Sequence, residues 1–234
     1  MPPTDDFFVG YLRAPLRLAR FVAVVAILLL YREQEHRASG HWDESGEVAI
    51  TGTMVAHPYP VVQVAATADR PAHAVLLVSE GKAGAPAGAA ALDGKRVTVR
   101  GYEILRDGMT VLQLDQEPAL ETGAAADLVA SQELGPRTLA GEIVDAKCFL
   151  GAMVPGEGKV HKECASLCIL GGIPPLFVTR DAEGKVTYRL LADRDGGPIA
   201  EAAAARAGEF ITVSGSLRRV GAIEVFQVDA ATLE

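Results

Sequence analysis

The chain lacks the features that define several large classes of protein. Its formal net charge is −8, and this argues against broad electrostatic binding to nucleic acid. It has only three cysteines in 234 residues, and an odd number argues against a purely disulfide framework. It contains no nucleophile elbow, no phosphate-binding loop and no convincing pair of catalytic carboxylates. What is present is enough Val, Leu and Ile to build packed cores.

Long apolar runs are also scarce. The run at residues 21–31 is too short by itself to span a bilayer, which takes ~17–25 residues. Extending it to residues 14–31 reaches that length and includes Arg17 and Arg20, whose long side chains can reach the headgroups. The positive-inside rule then predicts a cytoplasmic segment at 1–13, a transmembrane signal anchor at 14–31 and an exported globular part. A buried amphipathic helix is the alternative.

The rest of the chain contains an internal repeat. The matched segments are 94–101 with 208–215, 111–115 with 225–229, and 50–55 with 139–144. The last pair has a smaller offset than the others, so the second copy carries additional residues between its first strand and its closing hairpin. All three cysteines fall within that extra length.

Each copy has the pattern of short strands. Closing hairpins are predicted at Asp107-Gly108 and around Gly221, a further hairpin at residues 181–184, and a short helix at residues 199–207. Strands of this kind, interrupted by a helix before the last hairpin, resemble a small Greek-key barrel of the OB type. We therefore predict a mainly β fold, in which an N-terminal transmembrane helix is followed by two tandem OB-like small barrels.

The repeat also predicts where the parts begin and end. The predicted parts are a linker at 32–46, a first barrel at 47–120, a linker at 121–137, and a second barrel at 138–234 with a Cys/His-containing helical insertion at 148–174. Gly101 and Gly215 recur in the two copies, and we expect them at equivalent strand positions, at a bulge or bend.

The candidate site is a metal centre made by Cys148, His161, Cys164 and Cys168. Three thiolates and an imidazole suit tetrahedral Zn²⁺, with copper or an iron–sulfur cluster as alternatives. If residues 161–168 are helical, His161, Cys164 and Cys168 point to one side, and Cys148 joins them from the preceding loop. The Gly171-Gly172 pair and the prolines after it predict where that helix stops. A disulfide involving Cys148 or the helix cysteines, with His161 exposed, is the purely structural alternative.

The cysteine segment as a whole, from Val144 to Pro175, resembles one found in a group of bacterial membrane-anchored proteins. The shared pattern is V-D-x-K-C-F-L-G, then H-K-x-C-A-x-x-C, then I-x-G-G-I-P-P. The resemblance implies an inner-membrane protein whose globular part lies on the periplasmic side. It brings no activity with it.

The sequence supports three hypotheses about function. The first is an exported accessory or assembly subunit of a membrane complex, involved in electron transfer, that binds a metal and is not itself an enzyme. The second is a thiol–disulfide oxidoreductase that uses Cys164 and Cys168, with His161 lowering the pKa of the nearby thiol. The third is a structural interaction protein with one disulfide. The expected partners are the membrane, through residues 14–31, and other subunits of the complex.

Overall fold

In the computed structural model of the chain, residues 5–35, 40–120, 127 and 129–233 are described. The helices are α1 (Asp5–Glu35), α2 (Lys162–Leu170) and α3 (Ala200–Ala205). The strands are β1 (His41–Trp42), β2 (Val48–Val55), β3 (Val61–Val64), β4 (His73–Val78), β5 (Arg96–Arg106), β6 (Met109–Leu114), β7 (Ala119–Leu120), β8 (Ser131–Asp145), β9 (Pro175–Arg180), β10 (Val186–Asp193), β11 (Phe210–Val220) and β12 (Ile223–Val228). Parts of the predicted segments 1–13, 32–46 and 121–137 lie outside the described residues.

Helix α1 belongs to a unit of its own, Met1–Ala38, and the strands belong to a second compact unit, Ser39–Glu234. Apolar side chains of α1 such as Ile27 and Leu30 are exposed. Within the described part of the chain, no helix combines the length and the apolar character needed to cross a membrane. The helix predicted at 14–31 is present, whereas its assignment as a transmembrane anchor is not supported and stays a prediction.

Strands β8–β12 form a closed barrel, which we call the C-terminal barrel. The strands follow one another around it in the order β10, β12, β11, β8, β9. Strand β10 pairs with β12 in parallel, and the other pairs are antiparallel. This confirms the prediction of a mainly β fold with a barrel in the second copy.

Strands β1–β7 form the other sheet, which we call the N-terminal sheet. Its order is β5, β2, β3, β4, β6, and β6 pairs back with β5. The pair β4–β6 is parallel, in the same place as β10–β12 of the barrel, and the remaining pairs are antiparallel. The two copies therefore share strand order and strand direction, and β1 and β7 are additions that pair with β5.

The matched glycines show that the register is shared as well. Gly101 pairs with Leu114, and Gly215 pairs with Val228. A Cβ atom at either glycine would overlap the carbonyl oxygen of the neighbouring strand, from Gln113 in the first copy and from the equivalent glutamine in the second. The expected equivalence of the two glycines is confirmed. The ladders run through them without a bulge, so close approach of the strands explains the glycines.

The predicted hairpin turns are also present. Asp107 and Gly108 both have positive φ, 49° and 84°, which suits the two-residue turn between β5 and β6. The counterpart between β11 and β12 turns at Gly221, with φ 57°. Helix α3 is shorter than the predicted helix at 199–207, because the chain is no longer helical at Arg206.

The two sheets share an apolar core. One buried cluster joins Val61 and Leu76 of the N-terminal sheet to Val144 and Leu176 of the C-terminal barrel. Further buried clusters fill the barrel and the N-terminal sheet separately. Because the shared cluster is continuous, the two sheets pack as parts of one structure.

The copies differ most in the connection that follows their first long strand. In the N-terminal sheet, residues 56–60 lead from β2 to β3, whereas residues 146–174 lead from β8 to β9. Two elements lie nearer the N-terminus than predicted: β1 lies inside the predicted linker 32–46, and β8 begins inside the predicted linker 121–137. Exposed polar residues at the start of β8 gave the sequence no strand signal, but they pair with the end of β11.

Candidate metal centre

The cysteine segment begins where β8 ends. The Asp145 carboxylate accepts a hydrogen bond from the backbone N–H of Cys148 at 2.8 Å, and this turns the chain sharply out of the strand. A short π-type turn follows at Cys148–Ala152. Phe149 and Leu150 in that turn are fully buried in the shared core, so the position of Cys148 is fixed by packing on both sides.

Helix α2 supplies the other two cysteines. It is preceded by a 3₁₀ turn at Lys159–His161, and its cysteines, Cys164 and Cys168, are one helical turn apart on the same face. The helix stops at the predicted Gly171-Gly172 pair, where Gly172 has a φ of 95°. The backbone N–H groups of Gly172 and Ile173 then bond to the last helical carbonyls, which closes the C-terminus.

The structure brings the three thiols together. The sulfur atoms of Cys148, Cys164 and Cys168 all lie within 4.8 Å of one another. The Cys148 and Cys168 sulfurs are 3.9 Å apart, far beyond the ~2.05 Å of a disulfide bond, and all three residues are free cysteines. Cys148 and Cys168 are buried, and Cys164 is partly exposed.

His161 lies beside this group without joining it. Its Nε2 atom is 3.3 Å from an oxygen of the Asp145 carboxylate, and both residues are buried. Asp145, Cys148 and His161 form a second set of potential ligand atoms within 4.8 Å of one another. The four predicted ligands thus fall into two groups that share Cys148. Helical spacing predicts His161 on the same face as Cys164 and Cys168, but α2 starts one residue after His161, which therefore lies apart from that face.

A residue that the sequence analysis did not identify completes the thiol group. Lys82, in the loop after β4 of the N-terminal sheet, donates from Nζ to the sulfur of Cys164 at 2.8 Å and to that of Cys168 at 3.5 Å. It also donates to the carbonyl oxygen of Cys164. No sequence signal connects Lys82 with the cysteines, because the contact forms only when the two sheets pack together.

The loop that carries Lys82 is held in place by the cysteine segment itself. Lys147 is buried, and its Nζ donates to the carbonyl oxygens of Ser79 and Gly81 at 3.0 and 2.8 Å. The backbone N–H of Gly84 donates to the carbonyl of Gly171 at 2.9 Å. A Cβ atom on either of these glycines would overlap backbone of the opposite segment, so the close approach requires glycine at both positions.

The electrostatics separate the roles of the thiols. The hydrogen bond with Cys148 lowers the pKa of Cys168 to about 7, and the Lys82 ammonium adds to this effect against the opposing effect of burial. The same hydrogen bond, together with burial and the nearby Asp145, raises the pKa of Cys148. Burial also lowers the pKa of Lys147. The opposite directions of the two shifts mean that Cys168 loses its proton before Cys148 does.

The donor set fits a soft metal ion. Zinc–thiolate bonds of about 2.3 Å place two sulfurs of a tetrahedral site about 3.8 Å apart, close to the observed 3.9 Å between Cys148 and Cys168. Thiolates select Zn²⁺, Cu⁺ or iron–sulfur clusters over hard cations. Three thiolates around a divalent ion carry one excess negative charge, and the Lys82 ammonium is in contact with that charge.

Comparison with known proteins returned no match to a family model, to a curated protein or to a solved structure. The chain is therefore described by what it contains, a mainly β protein with a closed five-stranded barrel and a largely buried cysteine group that could hold a metal ion.

Proposed function

We propose that this protein binds a soft metal ion through Cys148, Cys164 and Cys168 and acts as a non-catalytic metal-binding subunit. The convergence of three sulfur atoms from two separate elements carries the proposal. Zn²⁺ is the favoured ion, because the sulfur spacing suits its tetrahedral geometry, and copper and an iron–sulfur cluster are the alternatives. Lys82 compensates the charge of the thiolates from outside the ligand set.

Metal content measures this function directly. Purified protein should retain zinc through dialysis, and Cys148→Ser, Cys164→Ser and Cys168→Ser should each lower its zinc affinity sharply, because a removed ligand opens the site. Leu167→Ser is the matched control, since Leu167 lies on α2 but is exposed. A wild-type protein without metal affinity, or variants that keep the wild-type affinity, would contradict the proposal.

We further propose the setting predicted from the sequence, a bacterial inner-membrane protein with its globular part in the periplasm and a role as accessory or assembly subunit of an electron-transfer complex. Arg17 and Arg20 beside the apolar half of α1 support the orientation. A C-terminal reporter that is active only outside the cytoplasm should be active. Co-purification of other subunits in mild detergent should reveal the complex.

One observation favours a second candidate function, a thiol–disulfide oxidoreductase. The sulfurs of Cys148 and Cys168 are hydrogen-bonded, so they form the reactive pair here in place of the predicted Cys164 and Cys168. Oxidation would join the two sulfurs, with two electrons and two protons passing to the disulfide of a partner protein. Against this, the thiol with the lowered pKa is buried, whereas reactive cysteines are partly exposed. Loss of the reduction of a disulfide substrate in Cys168→Ser, with full retention in Cys164→Ser, would favour the enzyme.

A further inference from the structure

We propose that Asp145, Cys148 and His161 form a second metal position, so that the protein holds two divalent zinc-type ions bridged by the Cys148 thiolate. The proposal rests on the proposed function, because Cys148 is also a ligand of the first ion. It assigns a ligand role to Asp145 and moves His161 from the first ion to the second. The first ion then has three sulfur ligands, and the second has one sulfur, one nitrogen and one oxygen.

The spacing of the donor atoms supports this position. Metal–nitrogen and metal–oxygen bonds of about 2.0–2.1 Å place two such ligands of a tetrahedral site about 3.3 Å apart. The Nε2 atom of His161 and the Oδ2 atom of Asp145 are 3.3 Å apart, and the Cys148 sulfur lies within 4.8 Å of a ligand atom of each. The three residues thus present one face of a coordination sphere.

The two groups cannot serve one ion in this arrangement. The donor atoms of Cys164 and Cys168 form a compact group with Cys148, and those of Asp145 and His161 form another, but the five do not form one group within 4.8 Å. Cys148 is the single member common to both. A thiolate sulfur has enough lone pairs to bind two cations, so Cys148 can bridge the two positions.

Burial supplies a second reason to expect a cation here. Asp145 is fully buried, and His161 is 4% exposed. Polar groups in such a place need partners. The Asp145 Oδ2 atom faces His161 Nε2 at 3.3 Å in a hydrogen bond, and the Lys147 ammonium donates elsewhere, to the backbone of the loop that follows β4. A divalent ion between Asp145, Cys148 and His161 would replace this one hydrogen bond with direct metal–ligand bonds.

Cadmium is a suitable probe, because it replaces zinc and its ¹¹³Cd resonance depends on the number of sulfur ligands. We expect the full chain to bind two cadmium ions and to show two resonances, one from the three-sulfur position and one from the mixed position. His161→Gln should remove the mixed resonance and one ion while the three-sulfur resonance remains. His57→Gln is the matched control, since His57 is an exposed histidine outside the site.

Asp145→Asn provides a second variant, because asparagine keeps the oxygen that accepts from the Cys148 N–H and removes the charge. It should also reduce the stoichiometry from two ions to one. A wild-type stoichiometry of one, unchanged in His161→Gln, would overturn the second position and leave the proposed function standing. Loss of every resonance in folded His161→Gln would show one site in which His161 is essential, and would also overturn it. Absence of cadmium from the wild type would overturn both.

Discussion

The N-terminal sheet and the C-terminal barrel have the same strand order, the same parallel pair and the same glycine register, and they differ most in one connection. In the first copy that connection is residues 56–60, and in the second it is residues 146–174. Every cysteine lies in the longer one. The repeated strands therefore position the site, while its candidate metal-binding residues lie in the segment that only one copy has.

The shared framework predicts that matched substitutions have matched effects. Gly101→Ala and Gly215→Ala should each destabilise the protein by more than the ~1–3 kcal/mol typical of overpacking, because the added Cβ meets backbone and not a movable side chain. Urea denaturation of both variants measures this. Gly46→Ala is the control, since a Cβ there meets nothing within 4 Å. A large loss of stability in one glycine variant and none in the other would contradict the structural equivalence of Gly101 and Gly215.

The long connection should matter for stability as well as for binding. Phe149 is buried in the shared core, its ring lies 4.1 Å from the Arg106 guanidinium, and it meets Tyr188 edge-on. Phe149→Ala should therefore cost ~3–5 kcal/mol of unfolding free energy. Val154→Ala, at a residue that is 77% exposed in the same segment, should change it by less than ~0.5 kcal/mol. Similarly small losses of unfolding free energy in both variants would show that the connection contributes little to stability.

Tyr59 lies in the short connection between β2 and β3, and its role is structural. It is buried, and its hydroxyl oxygen accepts from the backbone N–H of Ile199 at 3.1 Å. Tyr59→Phe leaves that N–H without its partner, so it should cost ~1–3 kcal/mol in urea denaturation near neutral pH and leave metal content unchanged. Loss of metal in this variant would contradict the structural role.

The Tyr59 hydroxyl also predicts a pH dependence. Burial raises the pKa of Tyr59 to about 12, above its usual value of about 10. A phenol with a raised pKa in the folded state contributes its stability below pH ~10 and loses it as the pH rises towards 12. The stability difference between the wild type and Tyr59→Phe should therefore shrink over that window. A constant difference would show that Tyr59 ionises equally in the folded and unfolded states.

Lys82 gives the smallest expected effect and tests whether the first copy contributes to the site of the second. Lys82→Met removes the donor to Cys164 and Cys168, and we expect about a tenfold loss of zinc affinity in competition with a chelator. The loss should lie at the low end of the ~10–100-fold range for groups that contact metal ligands, because Lys82 is exposed to solvent. Lys82→Arg should recover part of the lost zinc affinity. Lys95→Met, at another exposed lysine of the N-terminal sheet, should have no effect.

Local signals in the sequence were sufficient for much of the fold. The Asp107-Gly108 turn and the Gly171-Gly172 helix stop are each encoded by a pair of adjacent residues. The repeat is visible as matched short segments. The structure contains all three. The early start of β8 was not predictable in this way. The strand begins at Ser131, whereas the second barrel was predicted to begin at residue 138. Ser131 and its neighbours are polar and exposed, and they become strand only through pairing with β11.

The candidate site was predictable in its cysteines and in the nearness of His161, but not in Lys82 or in the role of Asp145. Helical spacing places Cys164 and Cys168 side by side, and the connection between β8 and α2 folds back so that Cys148 meets them. Lys82 was out of reach because it comes from the other copy, and contacts between packed sheets leave no periodic trace in a sequence. Asp145 is part of the quoted pattern, but as the last residue of a strand it gave no indication that it faces His161.

The glycine contact between Gly84 and Gly171 has a consequence for how the protein matures. The loop that carries Lys82 is synthesised well before the cysteines, yet it meets them only after both copies have folded and packed. A chain that has completed one copy alone holds either the lysine or the thiols, never the finished centre. If the proposed metal binding holds, the second copy alone would hold the ion weakly, and full affinity would mark a molecule in which both halves of the duplication have packed together.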